Sequence, residues 1–153
     1  MTIDERLNEL GISLADTPKP LGSYLPYVRS GNLIFISGLL PFRNGKLTRT
    51  GRVGESVSVD EAREDARQVV INVMSVLKTV AGDLGKISKC IKLNGYIASA
   101  ADFTDQPKVL NGASDLLLEI FGEAGRHARA AVGVYSLPLN SPVEIDFIFE
   151  IAS

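Results

Sequence analysis

The sequence predicts an α+β domain in which two helices cover one face of a mixed sheet, and three observations carry that prediction. Two long segments, 58–82 and 104–122, repeat apolar residues at spacings of three and four, the pattern of a helix buried along one stripe. The tail alternates, with Val143, Ile145, Phe147 and Phe149 set against Glu144, Asp146 and Glu150, so one face of its strand is core and the other is not. The element order is ββαβαββ, which leaves the far face of the sheet either wet or covered by another subunit.

Each element has its own local signal. Thr2, early acids, Ile3, Leu7 and Leu10, and then Gly11, predict a short amphipathic helix at the start. Pro18 and Pro20 break the chain. Tyr24 to Val28 and Leu33 to Ser37 flank Ser30-Gly31-Asn32 and predict a hairpin. Residues 41–57 are rich in Gly, Arg and Thr, with one short apolar alternation at most, and predict a long exposed loop. Ser58 and Glu61 have capping-box spacing, so a helix starts there. Ala62, Ala66, Val69, Val70, Val73, Val76, Leu77 and Val80 form its buried stripe, and Gly82 and Gly85 end it.

Cys90 to Ala98 predicts a strand. The second long helix starts near Thr104 or Asp105, tolerates Pro107 in its first turn, and buries Val109, Leu110, Ala113, Leu116, Leu117, Ile120 and Phe121 before Gly122. The tail reads as a second hairpin: Arg129 to Leu137, a turn through Pro138 to Pro142, then Val143 to Ile151.

At 153 residues the chain has the size of one domain, 1–153, with no repeat or linker. With 45% hydrophobic residues it can bury a sizeable core. The 16 basic and 18 acidic residues give a net charge of −2, without the electrostatic footprint of a nucleic-acid binder or a ligand for anionic membranes. No apolar run approaches the roughly 18 residues of a membrane span. A single cysteine excludes an internal disulfide framework and, with no secretory leader, suits a reducing cytoplasm.

Few residues offer chemistry. His127 is the only histidine, so a multi-histidine metal site is excluded, and by itself it reads as a loop residue ahead of a strand. Cys90 sits among apolar neighbours and reads as a buried, inert thiol. The glycines at 45, 51 and 54 do not form a phosphate loop. Arg129 shares strand parity with Ala131, Gly133 and Tyr135, opposite Val132 and Val134, and is expected to leave the core face. There its guanidinium either holds a ligand carboxylate through two parallel hydrogen bonds or is simply solvated. Glu144, an acid on the outer face of the last strand, is open in the same way between a functional role and simple solvation.

Pro20-Leu-Gly-Ser-Tyr24, Gly31-Asn-Leu-Ile-Phe-Ile-Ser-Gly38-Leu-Leu-Pro41, the Asn111 helix, Ala128-Arg129-Ala-Ala-Val-Gly-Val, and Leu137-Pro138 followed by Val143-Glu144-Ile145 resemble the reactive intermediate deaminase (Rid/YjgF) family. The resemblance spans residues 20–153, which makes 1–19 a helical extension, and it points to a longer, less characterised branch. It implies a chorismate-mutase-like fold and a homotrimer whose sheets line a barrel, with a cleft between subunits.

It also implies cofactor-independent and metal-free hydrolysis of reactive 2-imino and enamine acids to 2-oxo acids and ammonia. Arg129 then holds the substrate carboxylate, Glu144 polarises the attacking water, and Tyr24, Gly38 and Asn111 line the cleft. A non-catalytic trimer that binds a small carboxylate in the same cleft is the alternative. The chain has Ala131 where many active members have cysteine, Leu39 for glutamine and His127 for proline. The loop from Arg43 to Ser56 is longer than in the compact family core. Ribonuclease chemistry finds no paired histidines in the sequence.

Overall fold

In the first helix, α1 (Ile3–Glu9), the Glu5 amide donates to the Thr2 hydroxyl at 3.1 Å and the Thr2 amide donates to the Glu5 carboxylate at 3.0 Å, a reciprocal cap. The computed structural model describes residues 1–16 and 22–153, so Pro18 and Pro20 lie outside the described residues. The same device opens α2 (Val59–Ala81), where Ser58 and Glu61 cap each other and Gly82, at φ 74°, ends the helix. Its predicted stripe is buried from Ala62 to Leu77, with Val80 half-buried. The third helix, α3 (Gln106–Phe121), accepts Pro107 in its first turn, where no intrahelical N–H is lost, and buries Val109, Leu110, Ala113, Leu116, Leu117 and Ile120.

Strands β1 (Tyr27–Ser30) and β2 (Leu33–Leu39) form the predicted hairpin, turning at Gly31, whose φ of 59° suits glycine. With β5 (Ile87–Ala98), β6 (Ala128–Val134) and β7 (Val143–Ile151) they make one sheet in the order β1-β2-β7-β5-β6. The last strand is antiparallel to both β2 and β5, and β6 is parallel to β5. Helix α2 therefore crosses from β2 to β5 over the place β7 later fills, and α3 links the adjacent parallel pair β5 and β6. Both helices lie on the face that presents Leu93, Ile97, Val143, Ile145, Phe147 and Phe149, which is the core.

Two expectations fail. The tail is not a hairpin, because β5 lies between β6 and β7. The connection from Pro138 to Pro142 passes the end of β5, where the Ala98 amide donates to the Pro142 carbonyl at 3.0 Å. Nor is 41–57 simply an exposed loop. Short strands β3 (Phe42–Arg43) and β4 (Lys46–Leu47) turn through Asn44 and Gly45, both at positive φ, as tight hairpins require.

Beyond them Val53 and Val57 are buried, and the Val53 amide donates to the Ala98 carbonyl at 2.7 Å. Arg49 donates from Nη1 to Asp65 Oδ1 at 2.7 Å and to the Glu61 carbonyl at 2.6 Å, clamping the segment to α2. Asp65 is only 4% exposed, and its burial raises its pKa despite the arginine.

Helices α2 and α3 meet at Gly112, where a Cβ would overlap the backbone carbonyl of Arg63. Alanine in a helix interior is favoured over glycine by about 1 kcal/mol, whereas overpacking against backbone costs about 1–3 kcal/mol. The collision is expected to win. Urea unfolding of Gly112→Ala should show a lower midpoint with an unchanged m value; a midpoint at or above the parent's means that the helices have room to spare.

Candidate functional site

The alternation of β7 sets Glu144 on the sheet face that the helices leave open, opposite Tyr96 of β5. On its other side the β2 register slips between Ile36 and Leu39, a bulge centred on Ser37 and Gly38. A Cβ at Gly38 would overlap Glu144 Oε2, so the carboxyl rests directly on the glycine backbone, and only glycine leaves it that place. The Ser37 hydroxyl donates to the Leu25 carbonyl at 2.5 Å and its amide to the Pro26 carbonyl at 3.0 Å. The segment carrying Tyr24, 52% exposed, thus hangs from the same bulge.

Glu144 is half-buried and has no hydrogen-bond or ion-pair partner among the described residues. Burial raises its pKa, and the nearby charge of Asp146 raises it further. Asp146 itself accepts from Asn94 Nδ2 and from the Tyr96 hydroxyl, both at 2.9 Å.

The second cluster is built by β6 and α3. Its strand pairing corrects the face expected for Arg129: Arg129, Ala131 and Gly133 are level with Leu93, Gly95 and Ile97, so they belong to the helix side of the sheet. Ala131 packs on the margin of the core, while Val132, at 44% exposure, stands on the open face. The parity misleads because β6 is an edge strand that the helix layer covers only in part. Arg129 is exposed there, with Nη1 donating to Ser114 Oγ at 3.0 Å. Asn111, half-buried, lies one turn earlier on the same side of α3.

His127, a loop residue directly ahead of β6 as expected, has its ring held between Ser114 and the Gly125 carbonyl. Ser114 escaped the sequence reading because nothing local distinguishes one helical serine from another. Among the described residues no group of three His, Cys, Asp or Glu could hold a metal ion. Burial pushes the Cys90 thiol up to about 12, which leaves it inert.

Tyr24, Gly38 and Glu144 therefore gather at one place, and Asn111 and Arg129 at another. Arg129 is level with Leu93 and Phe147, and Glu144 with Tyr96 and Val132. Three residues of strand and two strand spacings separate them, roughly 14 Å between Cα atoms, and their side chains leave opposite faces of the sheet. No small molecule spans both groups within one chain.

The raised pKa of Glu144 has a consequence for stability. Between the ordinary glutamate value and the raised one, the folded chain binds more protons than the unfolded chain, so stability falls as pH rises through that window. Glu144→Gln removes the penalty. Its melting temperature is expected to exceed the parent's at pH 8 and to match it near pH 4; equal temperatures at both pH values would show that the carboxylate is fully solvated.

The family model described as "YjgF/chorismate_mutase-like, putative endoribonuclease" matches residues 4–151. The chain is 42% identical to Protein TCP17 of Trypanosoma cruzi, over 95% of this chain and 91% of that one. It is 31% identical to a 2-iminobutanoate/2-iminopropanoate deaminase of Dermatophagoides farinae, over 90% of this chain and 92% of the relative. The crystal structure of the protein Atu1372, of unknown function, from Agrobacterium tumefaciens superposes with a TM-score of 0.90 at 46% identity, over 99% of this chain and 93% of that one. With a family model spanning nearly its whole length and a fold shared with its relatives, the chain belongs to the YjgF/Rid family.

Proposed function

We propose that the protein hydrolyses reactive 2-imino and enamine acids to 2-oxo acids and ammonia in a cleft shared between subunits of a homotrimer. The observation that carries this reading is the Arg129 guanidinium, held at the sheet edge by a single hydrogen bond to Ser114 and without an ion pair among the described residues. A planar fork with its other N–H groups unengaged suits a carboxylate. The deaminase named above, 31% identical over most of both chains, supports the same chemistry.

In this mechanism Arg129 clamps the substrate carboxylate and leaves the C=N carbon facing water. That carbon is already electrophilic, so positioning and proton transfer suffice. Glu144 removes a proton from the water as its oxygen bonds to the carbon, then returns it to the nitrogen. Glu144 then takes the proton of the carbinolamine hydroxyl and passes it to the amino nitrogen; the C=O bond forms as the C–N bond breaks, and ammonia leaves the 2-oxo acid behind. A carboxyl whose pKa burial raises above the ordinary glutamate value holds a proton more readily, which suits it to accept and return one. The chemistry calls for no cofactor.

The separation of Arg129 from Glu144 supports a shared cleft. Head-to-tail contact that closes on itself would bring the open face bearing Tyr24, Gly38 and Glu144 of one copy against the Asn111 and Arg129 edge of the next. Exposed Val28, Phe35 and Val132 on the open sheet face are apolar surface that such contact covers. A second reading, a non-catalytic carboxylate binder, is favoured by Ala131 and Gly133 beside Arg129, which supply space and no reactive group.

Incubation with 2-iminobutanoate generated in place should accelerate 2-oxobutanoate formation. Arg129→Lys is expected to lower the rate at least about tenfold, equivalent to roughly 1.4 kcal/mol, because it keeps the charge and loses the fork. Binding of 2-oxobutanoate with no acceleration selects the second reading. Light scattering should give three chain masses; the mass of one chain at micromolar concentration removes the shared cleft. Mixed trimers of Arg129→Ala and Glu144→Gln chains should recover activity that neither possesses alone, and verified mixed trimers without activity would place both residues in one chain's site.

A further inference from the structure

We infer that His127 and Ser114 are positioning residues that set the orientation of the Arg129 guanidinium through a directed chain of hydrogen bonds. The inference rests on the reading of Arg129 as the carboxylate clamp. His127 Nδ1 lies 2.6 Å from the Gly125 carbonyl oxygen, and Nε2 lies 2.8 Å from Ser114 Oγ. A carbonyl oxygen can only accept, so Nδ1 carries the proton. In the neutral ring Nε2 is then bare, and the Ser114 hydroxyl must donate to it. With its single proton spent on the histidine, Ser114 Oγ turns its lone pairs away from the ring and accepts from Arg129 Nη1 at 3.0 Å. The chain of donors has one polarity throughout: it begins on the guanidinium and ends on the Gly125 carbonyl.

The anchor is rigid. Gly125 is buried, and a Cβ there would overlap the backbone carbonyl of Leu117, so the turn bearing the anchoring carbonyl packs directly on α3. Ser114 belongs to α3 and Arg129 to β6, which makes the relay a brace across three elements. An arginine at an exposed sheet edge otherwise samples many rotamers, and ordering them costs binding free energy. A braced Nη1 fixes the plane of the guanidinium, so the remaining N–H groups meet a carboxylate in one orientation. Outer residues of this kind tune the groups that touch ligand in the same way that partners of metal-bound histidines do.

Two measurements test this. His127 is the only histidine, so its ring nitrogens can be assigned without ambiguity by long-range proton–nitrogen correlation. At pH 8 the ring should show a protonated Nδ1 and a bare Nε2; the opposite tautomer overturns the relay. Calorimetric titration with 2-oxobutanoate then reads its effect. Ser114→Ala and His127→Phe should each weaken binding by the folded protein about five- to tenfold, and the double variant should be no weaker than the worse single one, as residues of one chain of hydrogen bonds require. Ser114→Thr, which keeps the hydroxyl, should restore affinity. If Arg129→Ala abolishes binding while Ser114→Ala binds as the parent does, the positioning role is wrong and the clamp stands. If Arg129→Ala itself binds normally, the clamp fails and the relay fails with it.

Discussion

The arrangement of this protein depends on the register of its last strand. β7 is the central strand of the sheet, and Val143, Ile145, Phe147, Phe149 and Ile151 are each at most 3% exposed against both long helices. Burial of one such side chain is worth roughly 1.5–3 kcal/mol, so a slip by one residue would forfeit most of the core and drive Glu144, Asp146 and Glu150 into it. The hydrophobic alternation therefore does more than stabilise. It decides that the carboxylates share the open face, and it brings Glu144 to the bulge where Gly38 gives it space.

That central place is filled late in the chain. β2 and β5, joined by α2, flank a gap that only β7 closes, and β5 and β6, joined by α3, form a parallel unit beside it. Long-range pairing of this kind carries loop-closure costs that local structure does not. The brace at Ser114 and the clamp of Arg49 on Asp65 are of the same nature, since each joins segments that are distant in the chain or belong to different layers.

The geometry also bears on the proposed cleft between copies of the chain. Glu144 and Gly38 sit where β2 meets β7, whereas Arg129 and Asn111 sit at the β6 edge, and β5 lies between the groups. Each half is built from rigid elements, a strand bulge in one case and a helix braced to an edge strand in the other. In the proposed arrangement a cleft between two such halves would be held in shape by the sheets themselves.

What the sequence determined by itself was local or periodic. The caps at Ser58 and Gly82, the helical stripes, the proline in the first turn of α3, the β1–β2 turn and the two faces of β7 all depend on residues within a few positions of one another. Arg129, Glu144, Tyr24, Gly38 and Asn111 were legible as residue types in order, and Glu144 beside Gly38 follows the β2–β7 pairing. Strand order was not legible, because a turn through Pro138 to Pro142 serves a hairpin and a passage past the end of β5 equally well. Nor was the face of Arg129, since an edge strand that is partly covered shows no alternation to read. Val53, Val57, Ser114 and His127 acquire their partners only when distant segments meet, and a hydrogen bond between such segments leaves no periodic trace in the chain. Tertiary structure alone decided those, because the free energy that places them comes from contacts the sequence does not put side by side.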